Sequence, residues 1–517
     1  MVLYLDYFVI SVKENMEESV IQEFYKGTRV FLTGGTGFMG KALIEKLLRD
    51  TEVETIYVLV REKKGKTAER RIDELFDDVV FDRLKSHKPK YRNRVEPIAG
   101  DCSIAGLGLS ITDRQKLIST INIVLHVAAT VNFNEHIKLA YSINVNATKD
   151  ILDLAKEMTN LKSIVHVSTA YSNCNRNKIE EKIYDIPVNF SDVETVLDKM
   201  SKQESELCTQ KLLGEWPNTY TFTKALAESV IKARGNGLPI GIFRPSIIIS
   251  TYKEPMPGWI DNLYGPTGMA VGTLSGIIRV GICDGKKIAD LIPIDTCVAA
   301  IVAVGWEVAQ RIDRKVETIP VFNYVSSQEN PLRWEEFLNI NYENCLSCTP
   351  ERMLWYPNLT ITTNRYKYQF LKLFSHTLPA LVMDLGCLII GGKPRLLKIY
   401  GKVHKFTEIL EFFSTREWIF TNKNVQGTWR KLNKRDQELF PFSMSTVHWL
   451  SYFRTYPIGV RRYMLKEPDS TLEQCNQRLK RYEFMHRALK AFLIVLVANF
   501  GSSFVFSLLR NLLKLFK

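Results

Sequence analysis

Tyr220 and Lys224 stand four residues apart in the run Tyr220-Thr-Phe-Thr-Lys224, and Ser168 precedes them with 51 residues between. On a helix, side chains at i and i+4 share a face, so the ammonium can sit near the phenol. That lowers the Tyr pKa and readies it to give a proton to a carbonyl oxygen as a hydride arrives. A nearby serine hydroxyl can hold the same oxygen. Such a group needs a hydride donor, and an earlier stretch offers a place for one. The apolar run Val30 to Leu32 leads into Thr33-Gly34-Gly35-Thr36-Gly37-Phe38-Met39-Gly40, followed by the helical pattern Ala42 to Leu48. Strand, glycine turn and helix N-terminus in that order can cradle a pyrophosphate, with glycine where φ is positive or the backbone must come close. Each feature has a bland counterpart: glycine turns that bind nothing, strand-end serines, surface Tyr-Lys pairs. Their order along one chain carries the reading.

The end of the next strand selects the nucleotide. Ile56 to Val60 is a continuous apolar run of the kind buried in a parallel sheet, and it stops at Arg61, with Lys63 and Lys64 close behind. An acidic residue there would bind a ribose 2′-hydroxyl, whereas a guanidinium accommodates a 2′-phosphate, so Arg61 argues for NADPH. A third strand at Val95 to Asp101 puts the Asp101 carboxylate at the adenine edge. A fourth at Ile121 to Val127 runs into Ala128 and Ala129, small enough for the backbone to pass against the cofactor. A helix over Asn144 to Met158 and a strand over Ser163 to Val167 follow, the latter ending at Ser168. Pro245 closes a later strand that also borders the nucleotide. This β-α-β alternation predicts an α/β protein with a doubly wound parallel sheet, a Rossmann fold, whose ligands lie beyond the carboxyl ends of the strands. Lys66 to Leu84 reads as one charged amphipathic helix. The charged stretch Lys178 to Glu215 reads as a mobile flap.

At 517 residues, the chain is long enough for two folded units. Its 45% hydrophobic and 24% charged content is that of a globular protein. Nine scattered cysteines suggest a reducing compartment, and the pair Cys345 and Cys348 lacks partners for a zinc site. Eight dispersed histidines offer no metal cluster, so no metal is expected. Part of the net charge of +13 is concentrated: residues 391–470 hold fifteen Lys or Arg against seven Asp or Glu. Nucleic acid is one partner for such a surface, but the sequence that follows favours a membrane. Ala491 to Leu509 carries no charge and is bracketed by Arg487, Lys490, Arg510, Lys514 and Lys517. It is close to bilayer length, though Asn499, Gly501, Ser502 and Ser503 weaken its middle, and it could also lie in the interface. The apolar start lacks a basic region or cleavage site, so no signal peptide is read and the large N-terminal part is expected in the cytosol.

The order Ser168, Tyr220, Lys224 after a nucleotide turn resembles the extended short-chain dehydrogenase/reductase group. Longer runs resemble fatty acyl-CoA reductases, especially the insect type: Phe31 to Gly40, Val58 to Arg61, Ala128-Ala-Thr-Val-Asn-Phe133, His166 to Tyr171, Asn218 to Lys224, Gly258 to Pro266, and Phe453 to Glu467. That resemblance implies reduction of a long-chain acyl-CoA to a primary alcohol with two NADPH and release of CoA through an aldehyde. Tyr220 would protonate the oxygen, Ser168 would steady it, and Lys224 would bind the nicotinamide ribose. It divides the chain into a lead (1–28), a reductase domain (29–360), a mainly helical C-terminal domain (361–470), a linker (471–490) and a membrane anchor (491–509). Residues 1–15 read as an extension or as an upstream start choice. The segment from Gly258 to Val280, with a helix near Met269 to Val280, reads as a substrate lobe. Leu378 to Ile390 and the cations Lys393, Arg395, Lys398 and Lys402 read as an acyl tunnel with a basic mouth. The expected partners are acyl-CoA and membrane lipid of endoplasmic reticulum or peroxisome, not nucleic acid; whether the chain forms a homodimer is left open. A membrane hydroxysteroid dehydrogenase or a non-catalytic NADP-binding sensor would share the glycine turn.

Overall fold

A computed structural model describes residues 18–313 and 318–515, with side chains for all but 312–313 and 500–515. The expected N-terminal extension lies outside the described residues. Apolar runs set the central sheet: β1 (Arg29–Thr33), β2 (Thr55–Val60), β3 (Val95–Ala99), β4 (Ile123–His126), β5 (Ser163–Val167), β6 (Ile240–Pro245) and β7 (Val321–Tyr324). All pair in parallel, in the order β7-β6-β5-β4-β1-β2-β3. The order reverses between β1 and β4, and a parallel sheet opens a crevice at that switch point. Helices α1 (Phe38–Asp50), α2 (Ala147–Glu157), α3 (Thr219–Arg234) and α4 (Ile294–Asp313) are among those that follow strands or precede the next. Phe31, Val124, Ile164 and Phe222 share one core cluster and are fully buried. Each such side chain contributes roughly 1.5–3 kcal/mol by leaving water.

Three expectations change in detail. The single helix over Lys66 to Leu84 is broken into Ala68–Leu75, a 3₁₀ turn Val79–Phe81 and Asp82–His87. Asp78 breaks it, because its carboxylate accepts the Val80 N–H (3.1 Å) and the Lys41 ammonium (2.7 Å). The helix before β5 begins at Ile137, not Asn144, and passes through a π turn at Ser142–Asn146. The stretch Lys178 to Glu215 is no bare flap. It folds into helices Phe190–Lys199 and Lys202–Leu213, the second opened by a capping box of Ser201 and Glu204. Val193, Leu197 and Leu213 anchor it in the core beside Trp216.

Packing divides the chain into two units, and the chain passes between them repeatedly. Among the described residues, the first holds 18–261, 284–313, 318–337 and 409–452; the second holds 262–283, 338–408 and 453–515. Residues 409–452, assigned with the C-terminal domain on sequence grounds, therefore pack with the sheet unit. Ile419–Phe420 pairs in parallel with Lys178–Ile179, and Trp418 Nε1 donates to the Cys174 carbonyl at 3.0 Å. In the second unit a helix spans Gly265–Leu274 and gives way to a short strand, Val280–Ile282, where one longer helix was expected. Leu378 to Ile390, expected to line a tunnel, instead turns most of its apolar side chains outward. The chain ends in a long helix, Leu472–Leu515, that contains the expected anchor; Phe492 to Val497 are exposed on it.

The carboxyl end of β5 is held by one buried ion pair. Arg244 of β6 meets Glu228 of α3 through two contacts, Nε to Oε1 at 2.9 Å and Nη2 to Oε2 at 2.6 Å, with both side chains out of solvent. Ser168 and Ser172 donate to the same carboxylate at 2.5 and 3.0 Å. The guanidinium also donates to the carbonyls of Glu180 and Lys182 at 3.2 and 3.0 Å. Removing one partner strands the other charge, so Glu228→Gln should lower unfolding free energy by roughly 3–5 kcal/mol. Denaturant titration checks this. Combining it with Arg244→Met should cost less than the sum of the single changes, because the two charges are coupled.

Candidate active site

The glycine turn joins β1 to α1 at the switch point. Gly34 takes φ +78°, and a Cβ there would stand 2.7 Å from the Ala128 nitrogen at the end of β4. At Gly40 a Cβ would fall 2.2 Å from the Gly34 carbonyl oxygen, which binds helix and turn together. Gly35 is crowded in the same way by Val58. Gly37 is different: it is exposed, caps α1 without a side chain, and leaves the first-turn N–H groups beside Phe38 and Met39 open to an anion. These residues fit a dinucleotide pyrophosphate. Thr36 flanks the turn and is half-buried, whereas Thr33 is fully buried and committed to the protein. Its Oγ1 contacts His126 Nδ1 at 2.7 Å and accepts the Ala128 N–H at 3.2 Å. Ala128 and Ala129 are half-buried beyond β4, and Pro245 ends β6.

Arg61 stands exposed past the tip of β2, and its Nε lies 3.6 Å from Asp101. Asp101 also accepts the N–H and the hydroxyl of Ser103, each at 2.8 Å. The two residues assigned to opposite parts of a nucleotide thus neighbour each other, with Asp101 shaping its turn.

The residues read from the sequence as handling a proton sit across the crevice. Asn218 caps α3, placing Tyr220 and Lys224 on its first turns. Lys224 is buried and its Nζ donates to the Val167 carbonyl at 2.7 Å, at the last residue of β5. Desolvation lowers its pKa to about 8, while Glu228 pulls the other way. Two buried histidines facing each other on β4 and β5, His126 and His166, are kept neutral by burial and by the Lys224 charge. Burial raises the Tyr220 phenol to about 12, and a hydrogen bond with Thr169 works against that rise. Burial, rather than a neighbouring ammonium, therefore governs the phenol in the free protein, and it remains a protonated donor at neutral pH.

The hydroxyl next to Tyr220 is that of Thr169, not Ser168. Successive residues leaving a strand point to opposite sides. Ser168 donates to Glu228 at 2.5 Å, whereas Thr169 accepts the Tyr171 N–H at 3.2 Å and is near enough to the phenol to work against its rise in pKa. That alternation was a signal available in the sequence. Asn144 was not singled out by spacing. From the π turn it accepts the Thr130 N–H (3.0 Å) and donates to Thr223 Oγ1 (2.9 Å), tying the loop after Ala129 to the Tyr220 helix. Phe133 stacks on Tyr220 with ring centroids 5.8 Å apart, and Phe413 lies 5.4 Å beyond it. An apolar wall thus borders Tyr220.

Two family models, both described as male sterility protein, match residues 32–301 and 375–467. The chain is 44% identical over 487 residues to fatty acyl-CoA reductase wat of Drosophila melanogaster, covering 94% of each. It is 38% identical over 479 residues to fatty acyl-CoA reductase 1 of Gallus gallus, covering 92% of each. Among solved structures, it resembles the terminal R domain of the myxalamid PKS-NRPS pathway, with a TM-score of 0.56 and 20% identity over 86% of this chain and 93% of that one. The last likeness is one of fold.

Two outcomes follow from the site. Thr169→Val should lower kcat by about 10²–10³, the effect of losing one oxygen-binding donor, with nicotinamide affinity kept. Ser168→Ala should chiefly lower stability, by about 1–3 kcal/mol, because it disturbs the Glu228 network. Steady-state kinetics and thermal unfolding of both variants separate the roles. Lys224 loses its charge as pH rises through about 8, so kcat/KM should fall on that alkaline limb. In Lys224→Arg, whose charge persists, the limb should move to much higher pH.

Proposed function

The chain belongs to the fatty acyl-CoA reductase family, and from that premise we propose that it reduces a long-chain acyl-CoA to the primary alcohol with NADPH, through an aldehyde kept at the site. The observation that carries the site assignment is the convergence of Thr169, Tyr220 and Lys224 at the end of β5, across from an uncapped helix N-terminus.

When bound, the nicotinamide supplies a hydride to the carbonyl carbon in each of two rounds. In the first, the thioester oxygen accepts hydrogen bonds from Thr169 and Tyr220, and the Tyr220 proton passes to it as the new C–H bond forms. The hemithioacetal then breaks its C–S bond, CoA leaves as thiolate and takes up a proton, and an aldehyde remains. In the second round Tyr220, reprotonated from solvent, protonates the aldehyde oxygen and the alcohol results. Two hydrides and two protons thus convert a thioester into an alcohol and a thiol. Lys224 anchors the β5 end and would hold the ribose; Ser168 positions that end through Glu228. Phe133 and Phe413 keep water from the reacting carbon. Arg61, which lies 3.6 Å from Asp101, would receive the 2′-phosphate.

We place the catalytic unit in the cytosol, held at an endoplasmic reticulum or peroxisome membrane by the Leu472–Leu515 helix. The exposed Phe492 to Val497 support an anchor; the rest of its apolar stretch has side chains outside the described residues.

Membranes bearing the chain, incubated with acyl-CoA and either NADPH or NADH, should release thiol and long-chain alcohol together, with two NADPH consumed per thiol. Arg61→Ala should raise KM for NADPH roughly 10- to 100-fold, the loss of a charge-assisted contact, with little change for NADH. Thiol release without alcohol would refute the second round. Equal effects on both nucleotides would refute the role of Arg61.

A further inference from the structure

The second unit contains a helix pair built inside out. The first helix runs Arg365–Ile389, with a π turn at Leu373–Thr377, and is long and apolar enough to cross a membrane. The second is Leu396–Ser414. In water an amphipathic pair hides its apolar faces and exposes its polar ones. Here Tyr368, His376, Ala380 and Asp384 form the buried stripe of the first helix; Tyr368, His376 and Asp384 make polar or aromatic contacts there, and Tyr368 also packs on Val280 and Ile282. Tyr368 Oη meets Thr407 Oγ1 at 3.1 Å, and His376 Nδ1 meets His404 Nε2 at 3.2 Å. The His376 ring stacks on Tyr400 at 4.7 Å. Asp384 accepts the N–H groups of Arg395, Leu396 and Leu397, each at 3.0 Å, and so caps the second helix. The opposite face is apolar and open: Phe370 is 61% exposed, Val382 67% and Ile389 87%.

The charge beside that face says what covers it. From residue 385 to 407 the chain has five cations, Lys393, Arg395, Lys398, Lys402 and Lys405, and no acid. All five are exposed. An apolar helix face bordered by cations matches the boundary of a bilayer leaflet, where acyl chains meet anionic headgroups. Crossing the bilayer does not fit. The His376 ring accepts the Arg279 N–H at 3.0 Å, and Tyr368 packs on Val280 and Ile282 of a small sheet, so a spanning helix would carry that sheet into hydrocarbon. The second helix, with Lys398, Lys402 and Lys405, could not return through the bilayer core.

We propose that this helix pair lies in the plane of the cytosolic leaflet of an anionic bilayer, with the face of Phe370, Val382 and Ile389 sunk among acyl chains and Lys398, Lys402 and Lys405 on lipid phosphates. It is a docking surface additional to the C-terminal helix, and it does not depend on the reductase reading.

The test uses the full chain in vesicles of phosphatidylcholine with about one third phosphatidylserine, an anionic content chosen to give the cations headgroups to bind. Cys102, Cys208 and Cys387 are replaced by Ser, the other six cysteines being buried. Single spin labels at Phe370→Cys, Val382→Cys and Ile389→Cys then report depth by collision with oxygen and with a polar nickel complex. All three labels should sit at one shallow depth, about 5–10 Å below the phosphates. Lys398→Gln/Lys402→Gln/Lys405→Gln should cut the lipid-exposed fraction by roughly 10- to 100-fold. Depth that rises to the midplane at Val382 and falls again would mean a span, and water exposure at all three would mean no docking; either overturns the proposal. Label-label broadening without lipid contact would assign the face to a second copy and overturn it too. Tyr220→Phe in the same background, inactive as a reductase, should show the same depths, which separates failure here from failure of the catalytic reading.

Discussion

Arg244 and Glu228 are the constraint on which the site depends. A charge pair in a dry interior is retained only when each group's hydrogen-bonding capacity is filled, because both have been stripped of water. Here the filling groups are the residues that must be placed: the two serines around the end of β5 and the carbonyls of Glu180 and Lys182. Desolvation, harmful to an unpaired charge, becomes a source of geometry. The strand end cannot drift without breaking contacts to a carboxylate. Thr169, one residue on, inherits that position, and Lys224 fastens the same strand end from the other side through the Val167 carbonyl.

The environment this produces is dry and nearly neutral around one ammonium. His126 and His166 stay uncharged, and neither ring nitrogen of His166 has a partner among the described residues. Lys224 is thus the mobile charge of the region, and its reduced proton affinity keeps it close to switching under ordinary conditions. Tyr220, by contrast, is held well away from ionising. Acid and ammonium sit on one helix yet are tuned in opposite directions relative to neutral pH, both by burial.

What could be read from the sequence was whatever local pattern encodes. Val30 to Leu32 and Ser163 to Val167 are strands because their apolar residues must be buried, and glycine is required where Gly34 takes a positive φ against Ala128. Tyr220 and Lys224 are four apart on a helix, and the helix is there. Local pattern failed where distant groups decide. Asp78 breaks a helix because Lys41, 37 residues earlier, holds its carboxylate. Ser168 and Thr169 are equivalent hydroxyls until Glu228 claims one. Leu378 to Ile390 reads as the lining of a tunnel, and only the polar stripe hidden behind it shows that its apolar side faces out. The return of residues 409–452 to the sheet unit has no periodic signature at all.

That return makes folding a matter of timing. Ser19 donates to Asp436 at 2.5 Å across 417 residues of chain, and Asp436 also accepts the Ile21 N–H. At ribosomal rates of about 5–20 residues per second, the helix Val20–Tyr25, which Ser19 caps, waits roughly 20–80 s for its partner. The sheet strands are all made before then, but the strand Lys178–Ile179 still lacks Ile419–Phe420, and Phe133 lacks Phe413. The nascent chain therefore carries an unpaired edge and an uncovered aromatic surface until about four-fifths of it has been made, by which point the apolar helix Arg365–Ile389 has also been synthesised. A chain so threaded cannot mature domain by domain, and its yield in a cell depends on what shields those surfaces during that interval.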